Sequence, residues 1–325
     1  MNRAVKVAVA VLASIGVLSA SGAEARPAVA SFLFGAAVDD LPAGHQRLPA
    51  LEAELGRPVD IVSTYVDWSY VSPGPNERWM AAGGKRKVLL SWEPWGIRFS
   101  EVTAHRHDSY LQAVANAMRA FPFDLYVRPW PELNGNWSTW QPTPDGGKKD
   151  GGTPAEFVAA WRYVVSFFRD RGVHNLKFVF NVDASDGPSN TPVRSLWPGS
   201  AYVDVLGLDG FNWGGGGPRS FKDVFTPMYA ILTGLDPNLP VWIAEFGCAP
   251  GQTRPAWLAE MMTTRAFPRL RAVVYFDVKT RLDWRLDSPA RQAIRSRLAV
   301  VRAAAGTTVR PGRPASSALG PATGR

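Results

Sequence analysis

The chain has 325 residues, 46% of them hydrophobic, and a formal net charge of +8. That length supports one large core, while a single cysteine, Cys248, excludes an internal disulfide and reads as a buried structural thiol, because no neighbouring base would activate it. Scattered histidines (His45, His105, His107, His174), dispersed positive charge, and a GGGG run at 214–217 without the Lys-Ser/Thr of a phosphate loop argue against a metal centre, a nucleic-acid site or a nucleotide site, so no cofactor is expected.

In chain order, residues 1–25 read as a secretory signal peptide. Arg3 and Lys6 precede the short apolar stretch VAVAVLASIGVL, and AEA at 23–25 is a small-residue cleavage site. An uncleaved anchor is the alternative, but the run is short of the ~20 residues that a membrane span needs. Cleavage would remove Arg3, Lys6 and Glu24 and leave a net charge of +7. No later run is long enough to cross a membrane. The mature chain is expected to be a monomer, secreted or held in the periplasm or cell envelope.

Eight short apolar runs follow: SFLFGAAV (31–38), VDIVSTYVDW (59–68), KVLLSW (87–92), FDLYVRPW (123–130), LKFVFNV (176–182), VDVLGLDGF (203–211), VWIAEFG (241–247) and AVVYFDV (272–278). Each is dense in β-branched and aromatic residues, as in strands buried on both faces. Helical spacing lies between them at 107–121, 154–172, 253–267 and 291–304. The clearest case is 154–172, with Thr153 as N-cap, Pro154 at the first helical position, Glu156 completing a capping box and Gly172 at the end. Strands alternating with helices predict a single-domain (β/α)₈ barrel over residues 26–304, with a doubly wound open sheet as the alternative. Residues 305–325 are Pro, Gly, Ser, Ala and Thr with little apolar bulk, and read as a disordered tail.

In such a barrel the reacting groups sit at the C-terminal strand ends. There the sequence offers Glu93 (strand three), Arg128 and Glu132 (four), Asp183 (five), Asp209 (six), Glu245 (seven) and Asp277 (eight). Trp95, Trp130, Trp137, Trp140 and Trp213 fall on the same rim. Carboxylates with aromatics, and no metal or phosphate motif, suggest glycoside hydrolysis, in which two carboxyls flank one bond and flat apolar faces hold sugar rings. Asn134, Asn136 and Asn212 are further candidates for sugar hydroxyls. A structural Arg128–Glu132 ion pair is the plain alternative for those two charges.

RPWPELNGNW (128–137) with Trp140, SWEPW (91–95), GLDGFNW (207–213) and VWIAEFG (241–247) resemble segments of glycoside hydrolase family 26, and together cover about residues 31–300. The resemblance implies a (β/α)₈ barrel with catalytic Glu on strands four and seven, and a retaining endo-β-glycanase most similar to β-1,4-mannanases. Glu132 would be the general acid/base and Glu245 the nucleophile, with Arg128 a donor to Glu245. Glu93, Trp95, Arg128, Asn134, Trp137, Trp140, Asp209, Asn212 and Trp213 would contact the polysaccharide. Two positions depart from the family. Pro131 stands where a His is common, and Phe211 where a Tyr hydroxyl would reach the nucleophile. Two alternatives therefore stay open: a glycanase tailoring an acidic exopolysaccharide, to which the positive net charge points, and a non-catalytic carbohydrate-binding relative.

Overall fold

The computed structural model describes residues 32–41, 44–145, 151–185, 191–215 and 219–306. The expected signal peptide and residues 307–325 of the expected tail lie outside these. The strands are β1 (Leu33–Val38), β2 (Ile61–Asp67), β3 (Lys87–Glu93), β4 (Leu125–Pro129), β5 (Leu176–Asp183), β6 (Val205–Asn212), β7 (Val241–Cys248) and β8 (Leu270–Asp277). The helices are α1 (Arg47–Leu55), α2 (Pro75–Ala81), α3 (Phe99–Thr103), α4 (Asp108–Arg119), α5 (Pro154–Asp170), α6 (Phe221–Leu235), α7 (Arg254–Thr263) and α8 (Ser288–Gly306). The strands pair in sequence order, and β8 returns to pair parallel with β1, closing the barrel. Closure overturns the open-sheet alternative. Helix α8 also takes in the first two residues of the expected tail.

The apolar runs become strands because both faces of the sheet are covered. Inside, Ile61, Leu89, Val179, Val205, Trp242, Ala272 and Val274 form one cluster. Gly207 leaves room for it, since a Cβ there would come within 2.6 Å of Val179. Outside, Phe157, Trp161, Val164 and Phe168 of α5 join a larger core shared with the strands. Between Leu208 and Asp209 the β6–β7 register slips: Leu208 faces Ile243, but Asp209 faces Glu245. Ala244 is the extra residue. A bulge of this kind re-aims the side chains that follow it, and here it brings Asp209 and Glu245 to one level.

The α5 capping box forms as its sequence predicts. Thr153 Oγ1 accepts from the Glu156 N–H at 3.3 Å, and the Glu156 carboxylate accepts from the Thr153 N–H at 2.7 Å. Replacing Thr153 with Ala should cost about 1 kcal/mol of unfolding free energy. Urea unfolding measures it, and an unchanged midpoint would show that the cap contributes nothing.

Candidate active site

Arg128, on β4, is 1% exposed. Its Nε donates to Ser91 Oγ at 2.7 Å, and its two terminal nitrogens donate to Asp209 Oδ2 and Glu245 Oε2. Strand register explains the convergence: Ser91 lies beside Arg128, and Asp209 beside Glu245. The other Asp209 oxygen accepts from Asn181 Nδ2 at 2.9 Å, and Asn181 Oδ1 accepts from the Glu132 N–H at 3.0 Å. A continuous chain of hydrogen bonds therefore runs from the Glu132 backbone through Asn181, Asp209 and Arg128 to the Glu245 carboxylate. Tyr65, on β2, donates its hydroxyl to the same Glu245 oxygen at 2.8 Å.

Glu132 sits just past the end of β4 in a tightly held turn. Trp130 and Glu132 both adopt left-handed backbone, with φ of 52° and 54°; such residues cost about 1–3 kcal/mol each and need surrounding structure to impose them. Trp130 is locked among Trp68, Phe99, Phe157 and Trp161. Trp140 Nε1 donates to the Pro131 carbonyl at 2.9 Å, and the Gly135 N–H to the Glu132 carbonyl at 2.9 Å.

The surroundings of the two glutamates differ. Glu132 is half-buried. Burial first, and then the negative charges of Asp209, Asp183 and Glu245, hold its carboxyl well above the usual carboxylate range. The Trp137 indole N–H, which donates to it, opposes that rise. Glu245, its side chain 12% exposed, receives Arg128 and the Tyr65 hydroxyl. Burial also raises Glu93, Asp183 and Asp209, with Arg128 opposing at Asp209.

Several candidate contacts prove to be scaffolding. Trp140 and Trp130 are fully buried and cannot meet a sugar; they shape the turn instead. Asn134 is 2% exposed and binds Asp183 and Ser185 carbonyls and the Asp183 N–H, tying the β4 turn to β5. Asn212 is buried on the Arg219 carbonyl and the Gly214 N–H. Arg128 and Asp209 are both 1% exposed, so they act on neighbouring side chains and do not contact a polymer. The Arg128–Glu132 pair does not form, because the guanidinium is committed to Ser91, Asp209 and Glu245. Asp277 is sealed at the end of β8 on Arg47 and the Leu286 N–H.

Trp95, Trp137 and Trp213 are 45%, 50% and 58% exposed. Trp95 and Trp137 stand 6.2 Å apart over Trp140, beside Glu132. Trp213 rests on Phe211 and Trp284; Phe211 continues through Phe276 to Tyr65, beside Glu245. Each carboxyl thus has its own aromatic wall. Asn136 is exposed, and Glu93 is half-buried, accepting from Trp95 Nε1 at 3.0 Å.

Sequence reading missed Tyr65, Ser91 and Asn181. Asn181 carried a signal: an amide inside LKFVFNV, a strand buried on both faces, needs a partner. Tyr65 carried none, since its partner is 180 residues away.

The raised Glu132 pKa has a consequence for stability. Folding favours its protonated form, so its contribution is fully present below its unfolded pKa of about 4.3 and is lost as pH rises. Glu132→Gln should therefore raise the melting temperature at pH 8, with the gain vanishing toward pH 4. An equal change at both pH values, or a loss at pH 8, would contradict the assignment.

Residues 103–262 match glycosyl hydrolase family 26. The chain is 31% identical over 245 residues to endoglucanase H of Acetivibrio thermocellus, a match covering 72% of this chain and 26% of that protein, so the chain spans about a quarter of that relative. It is 31% identical over 131 residues to a mannan endo-1,4-beta-mannosidase of Bifidobacterium adolescentis, covering 40% of this chain and 11% of that protein. The fold is shared with the catalytic domain of a family 26 endo-beta-1,4-mannanase of Bacillus sp. JAMB-750, with a TM-score of 0.62 at 17% identity over 83% of this chain and 86% of that one. It is shared as well with a family 26 beta-mannanase of Bacteroides ovatus, with a TM-score of 0.59 at 18% identity over 83% and 88%. With the family match and these relatives, the chain belongs to glycosyl hydrolase family 26.

Proposed function

We propose that the chain is an exported, retaining endo-β-glycanase that cleaves a neutral β-linked glycan with a mannan or glucan backbone. The observation that carries this reading is the pair Glu132 and Glu245, set at one barrel end in opposite surroundings and joined by one hydrogen-bond chain. A proton-holding carboxyl beside a donor-stabilised carboxylate is what double displacement requires.

Glu132 gives its proton to the glycosidic oxygen as Glu245 attacks the anomeric carbon. Arg128 and Tyr65 both bind Oε2 of Glu245, which leaves Oε1 to attack. Glu132, now ionised, then takes a proton from water. That water attacks the anomeric carbon and displaces Glu245. Trp95 and Trp137, on the acid side, would hold the departing chain, and Trp213 the chain that stays.

Charge favours a neutral substrate over an acidic one. Glu93, Glu132, Asp183, Asp209 and Glu245 crowd carboxyl groups together here, and Arg128 is already paired, so a uronate would add a further carboxylate without that guanidinium to receive it. Between backbones, the match to the endoglucanase spans more of this chain than the match to the mannosidase, at the same identity. Pro131 also withholds the side-chain donor that the mannanase resemblance places before the acid. Both observations favour a glucan as the second reading.

Reducing-end release from mannans, mixed-linkage glucans, xylans and uronate polymers tests the substrate class. NMR of the first product anomer should show retained configuration. Glu132→Ala and Glu245→Ala should each lower turnover by about 10²–10⁴-fold or more. With an activated aryl glycoside, azide should rescue Glu132→Ala, because a small anion needs no general base. Full activity in both variants, or an inverted product, would refute the proposal.

A further inference from the structure

In a parallel barrel every strand begins at the same end, and the helices finish there too. That end lies opposite Glu132 and Glu245. Arg119 closes α4, Arg169 and Arg171 close α5, Lys177 opens β5, and Arg269 and Arg271 flank the start of β8. These cations are tethered to backbone carbonyls. Arg119 donates to the Arg171 carbonyl at 3.3 Å, Arg171 to Phe167 at 3.0 Å, Lys177 to His174 at 2.8 Å, Arg269 to Asp236 at 2.7 Å and Arg271 to Pro268 at 2.9 Å; Arg169 donates to Ala201. Among the described residues, none of the six is in an ion pair within 4.0 Å.

Two further cations of this end are matched: Arg86 pairs with Glu52, and Arg57 with Asp60. Asp124 and Asp170 are exposed there and, with the half-buried Asp204 and the buried Asp236 that Arg269 faces, temper the patch. A carbonyl tether fixes a guanidinium without cancelling its charge and leaves further N–H donors of the fork unused. These six cations therefore stand outside ion pairs at the end away from the acidic cleft.

We propose that this end of the barrel is a docking surface for an anionic polysaccharide bearing carboxylates, distinct from the substrate of the cleft. Arginine predominates in the patch, and its planar fork matches a carboxylate in two-point contact. The large exposed hydrophobic residues, Tyr65, Tyr70, Val71, Trp95, Trp137 and Trp213, lie in the last residues of strands or beyond their ends on the cleft side. Nothing comparable among the described residues serves the basic end for insertion into lipid or stacking on bases, which sets a polyuronate ahead of a membrane or a nucleic acid. Docked this way, the protein turns its cleft away from the acidic polymer and toward neutral chains mixed with it.

The test uses the full chain on polygalacturonate-coupled resin at about 50 mM salt, where screening is weak. A neutral glucan resin, phosphatidylserine vesicles and a DNA resin run in parallel. Wild type should be retained on polygalacturonate and released by added NaCl. The triple variant Arg119→Glu, Lys177→Glu, Arg271→Glu should bind at least tenfold more weakly with an unchanged melting temperature. A variant of equal net charge on the cleft side, Lys222→Glu, Lys279→Glu, Arg281→Glu, should bind like wild type. If wild type passes through the polyuronate resin, binds only vesicles or DNA, or loses affinity equally in both triples, the proposal is overturned. Should the first triple misfold, single Arg119→Glu and Arg271→Glu variants take its place, and unchanged affinity in both is the overturning result.

Discussion

The buried guanidinium of Arg128 is the interaction on which the site depends. Taking such a charge out of water costs several kcal/mol, and only well-placed partners offset it. Here Ser91, Asp209 and Glu245 occupy all of its nitrogens. Without it, two carboxylates at the barrel end would be buried next to each other with no cation between them. The same group sets the position of Glu245 directly, and that of Glu132 through Asp209 and Asn181. Two residues 113 positions apart in the chain are thereby held to one geometry.

That geometry is supported by strain and packing on one side and by register on the other. Glu132 is in left-handed backbone because Trp130, Trp140 and Asn181 leave the turn no alternative. Glu245 is aimed by the bulge at Ala244. The tyrosine hydroxyl that the family resemblance places on strand six is absent at Phe211, yet Glu245 still receives one, from Tyr65 on β2. Phe211 joins the aromatic wall instead. The departure noted in the sequence is thus met by a donor from another strand, which answers one reason for considering a non-catalytic relative.

The barrel was largely legible. Strands covered on both faces read as continuous apolar runs, and all eight fall within two residues of their expected limits. The α5 cap was legible too, because Thr153 and Glu156 act locally. The rim was only partly legible. Sequence places a residue at a strand end but does not say whether its side chain faces the cleft or folds back beneath it. Trp137 and Trp140 are three residues apart, yet one is half exposed and the other sealed. Asn134 and Asn212 stand where the sequence predicts sugar contacts, but their amides serve the backbone of neighbouring loops. Tyr65 and Ser91 were invisible because their roles come from cross-barrel contacts. Likewise, the net charge was plain from composition, while the placing of Arg119, Arg169, Arg171, Lys177, Arg269 and Arg271 at the end opposite the cleft required the fold.

The central claim is that Glu245 becomes covalently glycosylated while Glu132 manages the proton. Incubation with an activated 2-deoxy-2-fluoro glycoside, followed by mass spectrometry of the digested protein, tests it most directly, because the fluorine slows release of the intermediate. The account predicts one glycosyl adduct, on the peptide carrying Glu245. An adduct on Glu132, or an unlabelled enzyme that turns its natural substrate over with inversion, would contradict it.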